Sequence, residues 1–320
     1  MDRRYLLLAG LAGLGALAGS GAMLAAFSSD MAQARARVRG RSEVFEGRFG
    51  TMEYAVAGNG LPLLMIHGTG GGFDQGLDFA EPLLAAGRQI VAPSRFGYLR
   101  SAFPDDPSLE NQADAFIDLL DRLGIERIPV IGGSAGALSA MQFAIRHPDR
   151  CSALVALVPA AFAPGRPPPR PPNALAAAII EHALKSDLLF WLGMKTGEDA
   201  MIASLLATDP ALVRAAPAGE RARVKRILRN ILPVSERSRG LLNDARQAGN
   251  PEPMPLSRIS APTLALSFAD DRFETLAAAR HIAAEVPGAR LSAFEQGGHV
   301  WVGRQDEVFA EIDAFLSANT

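Results

Sequence analysis

Short apolar runs alternate with helical patterns over most of the chain after the first 40 residues. The run Leu63-Leu64-Met65-Ile66 is continuous, as expected of a strand that is buried on both faces. Apolar residues over 109–123 instead have helical spacing, which ends near Gly124. Strands are predicted over residues 44–49, 52–56, 63–66, 89–92, 128–131, 154–158, 263–267 and 290–294, and helices over 75–86, 109–123, 137–146, 275–285 and 308–316.

The alternation stops in the middle of the chain and then resumes. Six prolines within residues 164–172 can continue neither a central strand nor a helix, and the pattern is helical only from there to about residue 255. The flanking strands and helices predict one mostly parallel, eight-stranded sheet with helices on both faces, an α/β fold, and the middle segment is then an inserted helical cap. We therefore expect an N-terminal segment over 1–40, core over 41–163 and 257–320, and a cap over 164–256.

The N-terminal segment has the pattern of a targeting or anchoring sequence. Residues 5–27 are apolar or small and uncharged, and a run of about 23 residues is long enough to span a bilayer as a helix. Arg3 and Arg4 precede it, as in Tat-type signals, and Ala32-Gln33-Ala34 offers a cleavage site. We expect a membrane-anchored or exported protein, with a buried helix as the third alternative. Four arginines would hold an anchored domain on the cytoplasmic side, which conflicts with export: Arg35, Arg37, Arg39 and Arg41.

Composition narrows the possible chemistry. The formal net charge is −2, and no basic stripe interleaved with aromatic residues indicates a nucleic-acid partner. Cys151 is the one cysteine, which excludes an intrachain disulfide, and its apolar surroundings predict a buried thiol. The sequence has neither a Cys/His cluster with zinc spacing nor a phosphate-binding Walker loop, so we expect no metal and no organic cofactor.

A Gly132-x-Ser134-x-Gly136 motif lies between a predicted buried strand and a predicted helix. This is the context of a nucleophile elbow, in which flanking glycines relieve crowding around a serine in a strained turn. The start of the following helix also favours negative charge there. A serine hydroxyl needs a base, a group that orients the base, and donors for the developing oxyanion. A catalytic Ser134 therefore requires these three partners elsewhere in the chain.

Candidates for all three follow other predicted strands. His299 comes after the last strand and is predicted to act as the general base. Asp270 and Asp271 are adjacent after the strand over 263–267; we prefer Asp271 as the orienting acid, and Asp270 stays the alternative. The glycine-rich stretch over 67–72 can turn backbone N–H groups toward a substrate, so the predicted oxyanion donors are the N–H groups of Thr69 and Ala135. His67 is expected to brace this loop.

These residues carry a family resemblance. From about residue 43 to 318 the chain resembles the capped α/β-hydrolase superfamily, whose order of triad residues is Ser, Asp, His. The resemblance implies that fold and places the acid on Asp271, although Ser94 and Phe268 depart from the family pattern. A serine nucleophile argues against the epoxide hydrolases and haloalkane dehalogenases of the superfamily. The matching segments are His67-Gly68, Ala92-Pro93 with Gly97 and Ser101, the elbow over 132–136, His147-Pro148-Asp149-Arg150, Pro262-Thr263-Leu264 and Gly297-Gly298-His299.

We therefore predict a serine hydrolase that cleaves a small carboxylic ester through an acyl-enzyme. A carbon–carbon bond hydrolase acting on a diketone is a close competitor, and acyl transfer or perhydrolysis are further branches. A non-catalytic binding protein with the same fold is the alternative outside enzymes. Four apolar cap residues could line an acyl pocket, although a place in the core of the cap is the simpler expectation: Phe190, Trp191, Leu192 and Met194.

Overall fold

The computed structural model describes residues 3–166 and 174–319. The strands are β1 (Glu43–Gly47), β2 (Gly50–Ala57), β3 (Pro62–Ile66), β4 (Gln89–Pro93), β5 (Ile128–Gly133), β6 (Cys151–Leu157), β7 (Thr263–Phe268) and β8 (Arg290–Phe294). The α-helices are α1 (Arg3–Val38), α2 (Phe73–Phe79), α3 (Glu81–Ala85), α4 (Leu109–Leu123), α5 (Gly136–Arg146), α6 (Ala174–Lys185), α7 (Asp187–Thr196), α8 (Glu198–Leu205), α9 (Pro210–Ala215), α10 (Ala218–Arg229), α11 (Ser238–Gln247), α12 (Thr275–Glu285) and α13 (Gln305–Asn319).

All eight strands form one sheet in the order β1-β2-β4-β3-β5-β6-β7-β8. Strand β2 is antiparallel to both of its neighbours, whereas the pairs from β4 to β8 are parallel. The predicted α/β fold with a mostly parallel eight-stranded sheet is therefore confirmed. Parallel strands bring their carboxyl ends to one edge, and the loops after β3, β5, β7 and β8 meet there.

The central strands are apolar on both faces because helices cover both faces of the sheet. In β3, Leu63 and Met65 belong to the core on one face, and Leu64 and Ile66 belong to the core on the other. All four side chains are fully buried. This double burial explains why the strand is a continuous apolar run, since neither set of alternating residues faces water.

One predicted helix is wrong in detail. The helix expected over residues 75–86 is two short helices, α2 and α3, separated at Ala80. Pro82 lies in the first turn of α3, where its missing N–H is tolerated, but it could not donate to Asp78 inside a longer helix. By contrast α4 matches its prediction, because Ser108 caps its start and Gly124 ends it in a left-handed conformation.

Helices α6 to α11 lie between β6 and β7, in the segment predicted as the cap. Most of the proline-rich stretch over 164–172 lies outside the described residues. The domain boundaries at 40/41, 163/164 and 256/257 stay a prediction. Phe190 and Trp191 are buried, and Leu192 and Met194 pack against the same core. None of the four lines the cavity described below, so the alternative of an acyl pocket built on them is wrong.

The N-terminal prediction is wrong. Among the residues that the structure describes, no helix is both long enough and apolar enough to cross a bilayer. This contradicts the predicted membrane-anchored localisation, because crossing a bilayer requires a helix that is both long and apolar. The predicted export signal fails as well, since its cleavage site lies inside α1, where Met31, Ala34 and Val38 are buried in the main core.

Candidate active site

Ser134 occupies a strained turn between β5 and α5. Its φ is +53°, a left-handed value that side chains other than glycine rarely adopt. The flanking glycines are required by close contacts: a Cβ on Gly136 would lie 2.4 Å from the carbonyl oxygen of His67, and one on Gly132 would lie 2.6 Å from Cα of Ala137. The half-buried hydroxyl therefore faces the carboxyl edge of the sheet, at the N-terminus of a helix.

Three side chains far apart in the sequence form one hydrogen-bonded series at this edge. Ser134 Oγ lies 2.8 Å from His299 Nε2, and His299 Nδ1 lies 2.8 Å from Asp271 Oδ2. The His299 side chain is 8% exposed and that of Asp271 is fully buried. The structure thus brings together the predicted nucleophile, base and acid, in an arrangement able to move a proton from the hydroxyl to the imidazole.

The two adjacent aspartates have different partners. Asp271 also accepts hydrogen bonds from Thr275 Oγ1 and, at 2.8 Å, from the N–H of Phe273. Burial raises the pKa of Asp271, but the charge of His299 and these hydrogen bonds outweigh burial and leave the pKa below its ordinary value. Asp270 instead accepts from the N–H groups of Gly297 and Gly298, at 3.0 and 2.8 Å. Asp271 therefore contacts the imidazole, while Asp270 holds the loop that carries it.

Residues 67–73, which we call the oxyanion loop, follow β3 and face Ser134. The N–H of Gly68 donates to Gln75 Oε1, that of Gly70 to the hydroxyl of Tyr98, and that of Phe73 to Ser94 Oγ.

In the described part of the chain, the N–H groups of Thr69 and Ala135 donate no hydrogen bond, and both residues lie beside Ser134. The two predicted oxyanion donors are therefore unpaired N–H groups of residues beside Ser134. Their role as oxyanion donors stays a proposal.

His67 braces this loop through both ring nitrogens. Its Nε2 lies 3.0 Å from the N–H of Arg95 and therefore accepts, so the proton is on Nδ1, which donates to the carbonyl oxygen of Gly68 at 2.7 Å. Burial, followed by the nearby charge of Arg95, holds the pKa of His67 well below its ordinary value. His67 is thus a neutral structural group and not a second base.

A buried ion pair that the sequence analysis missed links the oxyanion loop to the cap. Both terminal nitrogens of Arg95 donate to Asp244 on α11, at 2.7 and 2.6 Å, and the hydroxyl of Tyr98 donates to Asp244 at 2.6 Å. Arg95 also donates from Nε to the carbonyl oxygen of His67. No local pattern identifies this pair, because its partners are 149 residues apart.

The cap also contacts the imidazole loop. Thr208, between α8 and α9, accepts a hydrogen bond from the N–H of His299 at 3.1 Å and was not identified from the sequence. Gly298 has φ +60°, and a Cβ there would lie 2.7 Å from Thr208, so the loop and the cap approach each other as closely as glycine permits.

An apolar cavity of about 320 Å³ opens onto Ser134 and His299. Of the described lining residues Arg166 is the one cation, and the one carboxylate, Asp244, is already paired with Arg95. A larger cleft of about 770 Å³ lies elsewhere, beside α4 and α5, and includes none of the three residues of the series. The described residues contain no cluster of His, Cys, Asp and Glu that could hold a metal ion. The apolar lining comprises Phe79, Val158, Ala160, Leu205, Leu206, Ile227, Ala245, Ala248, Phe273, Val300 and Trp301.

Comparison with known proteins identifies the family. Residues 62–302 match the family model for the alpha/beta hydrolase fold. The chain is 28% identical over 283 residues to an uncharacterized hydrolase, YcgS, of Bacillus subtilis (strain 168), covering 82% of this chain and 92% of that protein. It is 27% identical over 254 residues to a 2-hydroxy-6-oxononadienedioate/2-hydroxy-6-oxononatrienedioate hydrolase of Paraburkholderia xenovorans (strain LB400), covering 78% of this chain and 84% of that protein.

A solved structure agrees with these relatives. The alpha/beta hydrolase fold protein from Nakamurella multipartita is 25% identical and superposes with a TM-score of 0.68, covering 87% of this chain and 100% of that one. Because the family model alone matches well over half of the chain, the protein is a hydrolase that belongs to the α/β-hydrolase family.

Proposed function

We propose that the protein is a serine hydrolase that cleaves uncharged carboxylic esters with an apolar acyl group. The observation that carries the proposal is the pair of 2.8 Å contacts joining Ser134 to His299 and His299 to Asp271, with Ser134 and His299 lining an apolar cavity. Two unpaired backbone N–H groups beside the hydroxyl supply what the oxyanion of such a reaction requires.

The reaction proceeds in two halves. In the first, Ser134 Oγ attacks the acyl carbon while His299 Nε2 takes the hydroxyl proton, and Asp271 stabilises the resulting imidazolium. The N–H groups of Thr69 and Ala135 donate to the oxyanion, the carbon–oxygen bond breaks, and His299 protonates the leaving alkoxide. In the second half, water gives its proton to His299 and attacks the acyl-enzyme, which releases the carboxylic acid and restores Ser134.

The lining of the cavity supports an uncharged, apolar substrate. Its volume of about 320 Å³ is near the lower end of the range for small-molecule sites, roughly 300–1,000 Å³, so we expect short to medium acyl chains. The charges of Arg95 and Asp244 are paired with each other through two hydrogen bonds. Among the described lining residues, this leaves Arg166 as the one cation beside the cavity. A substrate with two carboxylates would be poorly neutralised there.

A carbon–carbon bond hydrolase acting on a diketone is the second candidate. The relative from Paraburkholderia xenovorans favours it, because that protein is named as a hydrolase of a dienedioate, and the match covers 78% of this chain. The same hydroxyl would attack a ketone carbonyl, but a carbon atom would then have to be protonated as it leaves. The two candidates therefore share the nucleophile and differ in the leaving group.

The test uses the wild type and Ser134→Ala. A fluorophosphonate probe should label Ser134, located by mass spectrometry of the peptide, and Ser134→Ala should remain unlabelled. On p-nitrophenyl esters of graded chain length, we expect Ser134→Ala to lose on the order of 10⁴-fold or more in kcat.

Turnover of vinylogous diketo acids without ester turnover would establish the second candidate. If the wild type is not labelled and cleaves neither substrate class, both candidates are refuted. A non-catalytic binding protein with the same fold is then the remaining alternative.

A further inference from the structure

The last turns of α1 are part of the folded body. Trp191 of α7 packs edge-on against Phe27 with ring centroids 5.6 Å apart, and it donates from Nε1 to Asp30 at 2.8 Å. Asp30 also pairs with Lys195 at 3.0 Å. Together with the burial of the three apolar residues already described, these contacts fix the end of α1 against the cap.

Arg37, one residue before the end of α1, reaches across the cap to the core. Its Nε donates to Asp74 Oδ2 at 3.2 Å, and its Nη2 donates to the carbonyl oxygens of Asn230 and Leu232. The side chain is only 18% exposed. A guanidinium with several oxygen partners and little access to water is held in one orientation, unlike a surface arginine.

Asp74 in turn joins Arg37 to a second buried arginine. Arg237 donates to both carboxylate oxygens of Asp74, at 3.0 and 2.8 Å, and its side chain is fully buried. Burial raises the pKa of Asp74, but the two guanidinium groups outweigh burial and bring the pKa below its ordinary value. The carboxylate is therefore ionised and shared between α1 and the cap.

Arg237 continues the contacts into the oxyanion loop. Its Nη1 donates to the carbonyl oxygen of Gly71, and the N–H of Gly71 donates to the carbonyl oxygen of Gly68 at 3.3 Å. That bond closes a four-residue turn with Thr69 and Gly70 as its central residues, and Gly70 has φ +78° as the third position of such a turn favours. The direction of the Thr69 N–H is thus set by a turn whose last residue Arg237 holds.

We propose that Arg37 is a positioning residue for the oxyanion loop, acting through Asp74 and Arg237. The inference rests on the proposed function, in which the N–H of Thr69 stabilises the transition state. Without Arg37, Asp74 keeps one cationic partner, and two cap carbonyls lose their donor. Arg237 can then follow Asp74, and the turn at Thr69 loses its fixed orientation.

The effect belongs to the transition state and not to substrate binding. Complete loss of one oxyanion donor costs about 10²–10³ in kcat, so a loosened donor should cost about 10–100-fold. KM should change little, because Arg37 does not line the cavity. A merely structural role would lower stability and the fraction of active protein, but not the turnover of each active site.

The experiment compares Arg37→Ala with Arg35→Ala. Arg35 lies two residues earlier on the same helix, is 45% exposed and pairs with Asp187 at 3.7 Å, so it is a matched loss of one arginine. Active sites are titrated with a fluorophosphonate, and kcat and KM are then measured on a p-nitrophenyl ester per titrated site. We expect Arg37→Ala to lose about 10–100-fold in kcat at unchanged KM, and Arg35→Ala to stay within about twofold of wild type.

A third variant, Arg37→Lys, keeps the assay decisive if Arg37→Ala does not fold. An ammonium can retain the contact with Asp74 but cannot keep the guanidinium fork, so its kcat should fall between wild type and Arg37→Ala. If the wild type is active and the Arg37 and Arg35 variants have equal turnover per active site, the role of Arg37 is refuted and the proposed function stands. A wild type that neither reacts with the probe nor cleaves the ester would refute the proposed function, and this inference with it.

Discussion

Replacing Asp271 by asparagine is the sharpest test of the proposed triad, because the structure dictates how the new amide must lie. Asp271 Oδ1 accepts from the backbone N–H of Phe273, a donor that cannot turn around. The oxygen of the new amide must therefore stay in that position, and its NH₂ group must occupy the position of Oδ2, facing His299 Nδ1. The imidazole would then have to accept at Nδ1 and carry its proton on Nε2, where it can no longer take one from Ser134.

The expected loss follows from this change of tautomer. In a serine protease the equivalent substitution lowers kcat about 10⁴-fold, which corresponds to about 5 kcal/mol of transition-state stabilisation. Asp270→Asn is the matched control, one residue away and with the same chemical change. Its Oδ1 makes two of the contacts to the glycine N–H groups, at 3.0 and 2.8 Å, and an amide oxygen can keep both. Losing the remaining 3.2 Å contact should cost tenfold in kcat at most, or about 0.5–1.5 kcal/mol.

The assay is steady-state turnover of a p-nitrophenyl ester together with the rate of labelling by a fluorophosphonate, which does not depend on the natural substrate. Urea unfolding of each variant checks that the fold is retained. If Asp271→Asn kept kcat within tenfold of wild type, or if Asp270→Asn were the slower variant, the assignment of the acid would be wrong.

Three further predictions concern buried charge and burial itself. Asp244→Asn leaves the Arg95 guanidinium buried with a neutral partner, so the free energy of unfolding in urea should fall by about 3–5 kcal/mol. Arg214→Gln breaks an exposed ion pair and should cost less than about 1 kcal/mol. Equal losses would contradict the importance of burial. The pKa of Asp271 in the folded protein lies below its ordinary 3.8, so its stabilising contribution is complete above about pH 5 and is lost as the pH falls through the folded value. The difference in unfolding free energy between wild type and Asp271→Asn should therefore shrink steadily as the pH is lowered from about 5, and a constant difference would contradict the shift. Burial raises the pKa of Cys151 to about 12, so iodoacetamide at pH 8 should label it only in denaturant, and rapid labelling of the native protein would show that the strand is accessible.

The sheet and the elbow could be predicted because both depend on neighbouring residues in the sequence. A strand covered on both faces must be apolar at every position, and β3 has that pattern. Ser134 was identifiable because glycines flank it between a strand and a helix, and the close contacts at Gly132 and Gly136 explain why no other residue fits. The split between α2 and α3 is also a local matter, since Pro82 lacks the N–H that a continuous helix would need at that position.

The charged partners could not be predicted in the same way. Asp270 and Asp271 are neighbours with the same side chain. They differ in their contacts with the loop over 297–299, where Asp270 binds the N–H of Gly297 and Asp271 binds the imidazole of His299. Arg95 and Asp244 are 149 residues apart, on opposite sides of the junction between core and cap. The pattern of apolar residues specifies which faces are buried, but it does not specify which charged side chains come together when they are buried.

Arg37 shows what this difference means for function. From the sequence it was one of four arginines following an apolar run, and the expected role was to set the orientation of a membrane anchor. In the folded chain Arg37 instead binds a buried carboxylate 37 residues away and two cap carbonyls nearly 200 residues away. A charge that costs free energy to bury is retained only where its partners fix it, and those partners here lead to the loop beside Ser134. The motifs locate the reacting atoms, but the precision of the site should depend equally on buried ion pairs that no motif contains.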